Sequence, residues 1–476
     1  MTNRISLSGT FCGGLLLGSA VLAALPVLSF GATVTVTNEN IYTYQNSSLH
    51  AHVLDGGHNY VTSGSIDITS NLNNGLIVGN TNAGNGLLIE GGSVKTAGAS
   101  IGYASGGEGT VTLNGSGASW DCLYSSIYYN LWVGQNGTGT LNVNNDATAR
   151  MSKLYVGYGS GISGTVSING GTVTASSEAV IGSYGSGTVR VLGSGSLTTV
   201  GARISNQITS TGTVQISGAT ARWTNTGEYH LGNGGSATMR VENGGTLTST
   251  SGVFVKDGSS LTVTSGGTIT GNLGFRVGGD SSDGEMTISG GGIVRSTYGS
   301  VIANGAHVAT ATVTGAGSIW EATSTLTIAN SYSGTTDNTL IIDDLGLVKV
   351  GSGGLVINQS SEYNNNVRLG DGFLALLGDK TSSLASWLTA GAFYIWDAAT
   401  STWAVAEEGD IEAVYYTDAA LAKLATSSGA FAGYEDLGGY TIFTSTAVPE
   451  PSTYALLGGL AALLVAIRRK RMAGGE

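Results

Sequence analysis

The stretch LYVGYGSGISGTVSINGGTVTASSEAVIG, Leu154 to Gly182, decides the fold. It holds three short apolar pieces, LYV, TVSI and TVTA, parted by glycine, and then VIG begins the series again. Within TVSI, Val166 and Ile168 alternate with Thr165 and Ser167, which sends one row of side chains to each side of an extended strand. One such unit cannot bury its apolar row, because nothing lies above or below it. A stack of units can, at about 4.8 Å per layer through parallel ladder hydrogen bonds.

The same anchor recurs on both sides of this stretch. LIVG at Leu76 to Gly79, IG at Ile101 and Gly102, LWVG at Leu131 to Gly134, HLG at His230 to Gly232 and RVG at Arg276 to Gly278 share it. Anchor glycines lie 23 residues apart at 79 and 102 and at 134 and 157, 25 apart at 157 and 182, and 50 apart at 182 and 232, an interval that holds two units. A fixed period of this size is the mark of a solenoid. Composition agrees: 78 of 476 residues are glycine and only 3 are proline, with none from 27 to 448, so every ladder donor is available.

Charge excludes one class of partner. The formal net charge is −12, and without the two ends the chain keeps fourteen cations against 29 acids, near −15, which opposes nucleic-acid binding through phosphate neutralisation. An anionic surface polymer would be repelled as well unless cations bridge. Of the two cysteines, Cys12 falls in the leader, so Cys122 has no intramolecular partner and is left either free or for an intermolecular disulfide.

Both ends read as addresses. Arg4, the apolar run Leu15 to Leu28 and the small residues Ser29 and Gly31 form a secretory signal peptide over residues 1–31. At the other end VPEPSTYALLGGLAALLVAIRRKR sets Pro449, Glu450 and Pro451 ahead of an uncharged run from Tyr454 to Ile467 and the stop-transfer cations Arg468, Arg469, Lys470 and Arg471. As a helix that run is about 21 Å long, short of a hydrocarbon core of about 30 Å, and snorkelling arginines would extend it. This tail resembles the PEP-CTERM sorting signal. The resemblance implies that an exosortase, a membrane peptidase-transferase, recognises Pro449, Glu450 and Pro451 as substrate residues. The repeats resemble those shared by PEP-CTERM proteins and passengers of type V autotransporters, with Trp120 in GSGASW, Trp223 in GATARW and Trp320 in GAGSIW at matching places, read as corner packing.

The expectation is an all-β, right-handed parallel β-helix of about ten three-strand coils over residues 76–370, sealed by cap strands at 32–75 and by a small mixed α/β cap at 371–446. Residues 447–476 then form the sorting signal, with a transmembrane helix and basic tail. In the second cap FLALLGDKTSSLASWL and TDAALAKLAT read as helices around the strands FYIWD, AVYY and YTIF.

Candidate chemistry is sparse. Asp343 and Asp344 are adjacent, so on one strand they would face opposite ways, unlike a glycosidase pair. Asp280, Asp283 and Glu285 offer oxygens to calcium from one turn, and His50, His52, Asp55 and His58 offer zinc ligands. In both places a plain solvated turn or strand edge is the simpler reading, as it is for Glu407, Glu408, Asp410 and Glu412. Aromatic rows are the better ligand hypothesis: Tyr103, Tyr158 and Tyr184 follow anchor glycines, and Tyr124, Tyr128, Tyr129 and Trp132 fall in the longest spacing, 32 residues. They would form a platform for sugar rings, or else stack to stabilise successive coils. The expected protein is a non-enzymatic structural or adhesive component of the bacterial surface or exopolysaccharide matrix, without cofactor. Its partners are the secretion translocon, an exosortase, the membrane before processing, and surface glycans. A carbohydrate-binding or carbohydrate-active β-helix is the alternative.

Overall fold

The computed structural model describes residues 33–36, 45–46, 51–69, 75–123, 130–279, 282–303, 307–329, 337–359, 364–417 and 437–446. The strands of this unit fall into three parallel ladders. A first face is one long sheet containing Glu108–Asn114, Thr138–Asn144, Ser163–Asn169, Ser186–Leu192 and Thr211–Ser217 as successive neighbours. A second face runs through Ser119–Cys122, Thr148–Met151 and the start of Thr172–Ile181. A third runs through Asn130–Val133, Lys153–Val156 and the end of Thr172–Ile181. Each coil thus has three strands, and about thirteen turns are stacked. At about 4.8 Å per layer the stack extends about 60 Å.

Register explains the stability. Leu141, Val166 and Val189 lie directly over one another, all fully buried, while their neighbours Thr140, Thr165 and Thr188 face out half-buried. Each such side chain contributes about 1.5–3 kcal/mol by leaving water. Trp120, Trp223 and Trp320 are not at corners. They belong to the inward row of the second face, at 1%, 0% and 0% exposure, because each alternates with outward neighbours in its strand.

More coils exist than the ten expected. Ladder strands are in place at Ala51–Leu54, Asn59–Thr62 and Ser65–Asp67, ahead of residue 76, and continue through Phe373–Leu377 and Phe393–Asp397, beyond 370. One uncounted coil hides because its anchor glycine is replaced: Ala303 holds φ of 59° where other coils use glycine, as Ser205 does at 60° inside the 50-residue interval already read as two units. Ser205 is tied down there by its hydroxyl, which donates to the Ser210 carbonyl at 2.6 Å.

The stack meets antiparallel strands at both ends, although Thr33–Thr35 continues the first face in parallel on Asn59–Thr62. Gln45–Asn46 pairs antiparallel with Ala51–Leu54. At the other end Thr402–Val405 runs antiparallel to Phe393–Asp397, and Tyr440–Ser445 lies between Phe373–Leu377 and Ile411–Tyr416, antiparallel to both. FYIWD, AVYY and YTIF are strands as expected, but FLALL is not helical. Phe373–Leu377 is a ladder strand, and among the described residues only Ser383–Thr389 is a helix. The leucines that favour helix locally are captured by an existing ladder edge, with Phe373 N–H donating to the Gly346 carbonyl. TDAALAKLAT from residue 418 onward lies outside the described residues, as do the signal peptide and the apolar run at 454–467. Among the described residues no helix is long and apolar enough to cross a membrane.

Candidate functional site

The outward row of the third face carries the aromatic side chains. Pairing places Trp132, Tyr155, Val180, Arg203, His230, Phe254 and Arg276 in one column, one per coil. Trp132 therefore lies on a strand. It stacks on Tyr155 with centroids 6.0 Å apart and planes 8° from parallel. His230 stacks on Phe254 at 4.8 Å and 10°, and the Arg276 guanidinium sits 5.4 Å from the Phe254 centroid. Rings stacked along the axis spend their faces on one another and leave their edges to solvent.

Of the expected platform, Tyr158 and Tyr184 come together edge to face at 5.9 Å, and Tyr184 is 47% exposed. Tyr155, which the sequence reading passed over, joins them to Trp132 by meeting Tyr158 at 5.4 Å. Its signal was present: it occupies the same place in LYVG as Trp132 in LWVG. Tyr103 does not join them. It lies two coils from Tyr158, and Gln135 occupies the same corner position in the coil between, its amide bonded to Gly102 as that of Tyr158 is to Gly134. Tyr124, Tyr128 and Tyr129 lie outside the described residues.

The candidate ion sites are taken up by structure. The Asp55 carboxylate accepts from the Thr81 amide and hydroxyl, the Asn82 amide and the Asn85 side chain. His52 is buried, and the His58 ring packs edge-on against Tyr60 at 6.1 Å. Asp283 accepts from the Val308 amide at 2.9 Å and pairs with His307 at 3.4 Å. Asp280 and His50 lie outside the described residues, among which no three His, Cys, Asp or Glu gather to hold a metal. Asp343 ends its strand and Asp344, at φ 45°, begins the turn, so strand alternation does not govern the pair. Burial, then the charges of Asp343 and Asp344, raises the Asp371 carboxyl in the next coil. Cys122 is a free thiol, fully buried and bonded to Thr96, and burial pushes it up to about 12. No intermolecular disulfide forms from there without unfolding.

At the C-terminal end a cleft of about 380 Å³ is lined by Ile395, Trp396, Asp397, Ala404, Glu407 and Asp410 among others. Its two aspartates serve their own turns. Asp397 accepts from the Thr400 hydroxyl and the Ala399 amide, which hold its carboxyl below the usual range, and Asp410 accepts from the Glu407 amide at 2.8 Å. A carboxyl held ionised is a poor proton donor.

The class these features define is an exported parallel β-solenoid with a C-terminal sorting signal. Residues 447–471 match the PEP-CTERM protein-sorting motif, and they include Pro449, Glu450, Pro451, Arg468, Arg469, Lys470 and Arg471, all outside the described residues. The motif implies recognition by an exosortase during export and processing at the membrane-associated C-terminus, with a surface or extracellular destination. No curated protein matches the chain. A solved structure, the TibC-catalyzed hyper-glycosylated TibA 55–350 fragment, is similar at 18% identity over 64% of this chain and 98% of that one, with a TM-score of 0.25.

Proposed function

We propose that the processed protein is a non-enzymatic structural or adhesive component of the bacterial surface or exopolysaccharide matrix. It acts through the repeated faces of its stack. The sorting motif at 447–471, carried behind one continuous solenoid, is the observation that supports this reading. The Trp132, Tyr155, Phe254 and His230 stacks are read as braces between coils, because their ring faces are already occupied.

Cell fractionation of the Pro449→Ala, Glu450→Ala, Pro451→Ala triple variant tests the fate. A full-length form should build up with the membranes, and an unchanged external mass would reject processing at this motif. For the chemistry, purified external protein should release no reducing ends or unsaturated sugars from acidic and neutral glycans. Turnover lost on replacing Asp397 or Glu407 would establish the carbohydrate-active alternative, which the C-terminal cleft alone favours.

A further inference from the structure

The acidity of the chain is not spread evenly along the stack. Residues 130–279, which span seven consecutive third-face strands from Asn130–Val133 to Gly274–Val277, carry eight Lys and Arg against five Asp and Glu, a formal +3. The described residues between 337 and 446 carry ten acids against three cations, a formal −7. Seven layers make the cationic band about 30 Å deep, several times the screening length of about 8 Å at physiological salt. A partner laid against the middle of the stack meets a positive surface, whatever the net charge of the chain.

The third face carries half of those cations. Lys153, Arg203, Lys256 and Arg276 lie on it or at its edge, with the Lys153 and Arg203 side chains 39% and 48% exposed. Its three acids are engaged: Glu178 bridges Lys153 and Arg203, Glu228 holds His230 at 2.9 Å, and Asp257 at the edge beside Lys256 accepts from the Gly234 amide at 2.8 Å. The corners on either side expose apolar side chains, Ile208 at 86% with Tyr184 on one side and Leu273 at 59% with Val200 on the other. These side chains add apolar contact area beside the charged face, the pairing of charge and apolar surface that a protein partner can use.

We propose that this face docks the acidic C-terminal section of a second copy of the chain. The inference rests on the structural reading of function given above. Charge complementarity selects the occupant: in the C-terminal section Asp343, Asp344 and Asp371 crowd one corner, with the Asp371 amide on the Asp343 carboxylate at 3.3 Å. Leu377, Val405 and Tyr415 are exposed in the same section. End-to-end joining is hindered at the C-terminal end, where antiparallel strands cover the first and second faces, and on the third face at the other end, where Gln45–Asn46 is antiparallel. Different surfaces meet on the two copies, so the contact is heterologous and each copy keeps a free surface from which rows or rings of staggered solenoids grow.

Light scattering on the processed external protein tests this at about 50 mM and about 0.5 M salt, on either side of physiological screening. The expected result is a mass that rises with concentration at low salt and falls to a single chain at high salt. Arg203→Glu with Arg276→Glu should weaken association at least tenfold at low salt. Ile208→Glu, at a site too exposed to disturb folding, should weaken it as well. Asp343→Lys with Asp344→Lys should restore association when mixed with the arginine variant. A single-chain mass at low salt overturns the proposal, even if the protein then binds an acidic polysaccharide. So does association indifferent to these substitutions. The glycan-turnover assay tests the structural reading separately, so the two failures are distinguishable.

Discussion

Three tryptophans in equivalent places show how much a single hydroxyl matters. Trp120 Nε1 donates to Thr96 at 3.2 Å and Trp223 Nε1 to Thr199 at 2.9 Å, and each threonine sits in the preceding coil. Those hydroxyls pass the bond on, to Cys122 and to Asn225. In the third instance the matching residues are Ser296 and Ala322. Ala322 offers no side-chain acceptor, Ser296 bonds to Ser300 instead, and Trp320 Nε1 is buried without a partner. A hydrogen bond contributes about 0.5–1.5 kcal/mol, and leaving one buried partner unmet costs about 1–3. Trp223→Phe should therefore lower stability by about 1–2 kcal/mol more than Trp320→Phe in denaturant titrations. Equal losses would show that the indole bonds contribute nothing.

The corner glycines make a second contrast at this scale. Gly157 has φ 69°, and a Cβ there would run into the Ser186 carbonyl in the next coil. Gly161, at φ 70°, has nothing within 4 Å of that position. Gly161→Ala should cost only the backbone term of about 1–2 kcal/mol, whereas Gly157→Ala must also displace a ladder strand and cost more. Thermal unfolding of the two variants decides it, and matching melting temperatures would contradict the close approach of the coils.

At the scale of elements, strands were legible wherever alternation and glycine punctuation coincided, as in GTVSING. The FLALL segment was not, because its leucines carry a helical preference and only the waiting edge of Leu347–Val350 makes it a strand. The aromatic column was half legible. Trp132 and Tyr155 share a motif position, but Tyr103 and Tyr158 look equivalent in sequence and are separated by a coil that presents Gln135. The three polar clusters at Asp55, Asp283 and Asp343 could not be sorted from ligand sites by composition, since only the fold decides which amides donate to each carboxylate.

The Asp55 turn offers a test by pH. Burial acts to raise its carboxyl, but hydrogen bonds from Thr81, Asn82 and Gly56 outweigh burial and leave it below its usual value of 3.8. A carboxyl depressed in the folded state contributes stability that is complete above about 3.8 and is lost as pH falls through the lower folded value. Asp55→Ala should thus be less stable than the parent at pH 7, and the gap should narrow on acidification below about pH 4. A gap independent of pH would mean that the turn is held by other contacts.

For the molecule as a whole, the fold class was legible and its length was not. Periodicity reports the coils that keep their glycine, and the doubled interval reports the coil of Ser205, but the coil where Ala303 bears the positive φ is missed. What periodicity cannot report is how the stack stops. Its C-terminal end depends on Tyr440–Ser445, a strand contributed from 63 residues downstream, where the Thr441 hydroxyl donates to the Gly378 carbonyl at 2.7 Å. Ile442 on that strand is 2% exposed and packs in a small cluster with Leu347, Ala375 and Leu437. Ile442→Asp would bury an unpaired charge there, at a cost of several kcal/mol. In a domain with one shared core such a cost spreads to every element. In a stack each coil is stabilised mainly by its neighbours, so the damage should stay near the end where it is made. Hydrogen exchange on the variant should show early loss of protection from about Leu347 onward, with the strands Ser163–Asn169 and Ser186–Leu192 protected as before. Uniform loss along the chain would mean that the coils unfold as one cooperative body and that the cap holds the whole stack together.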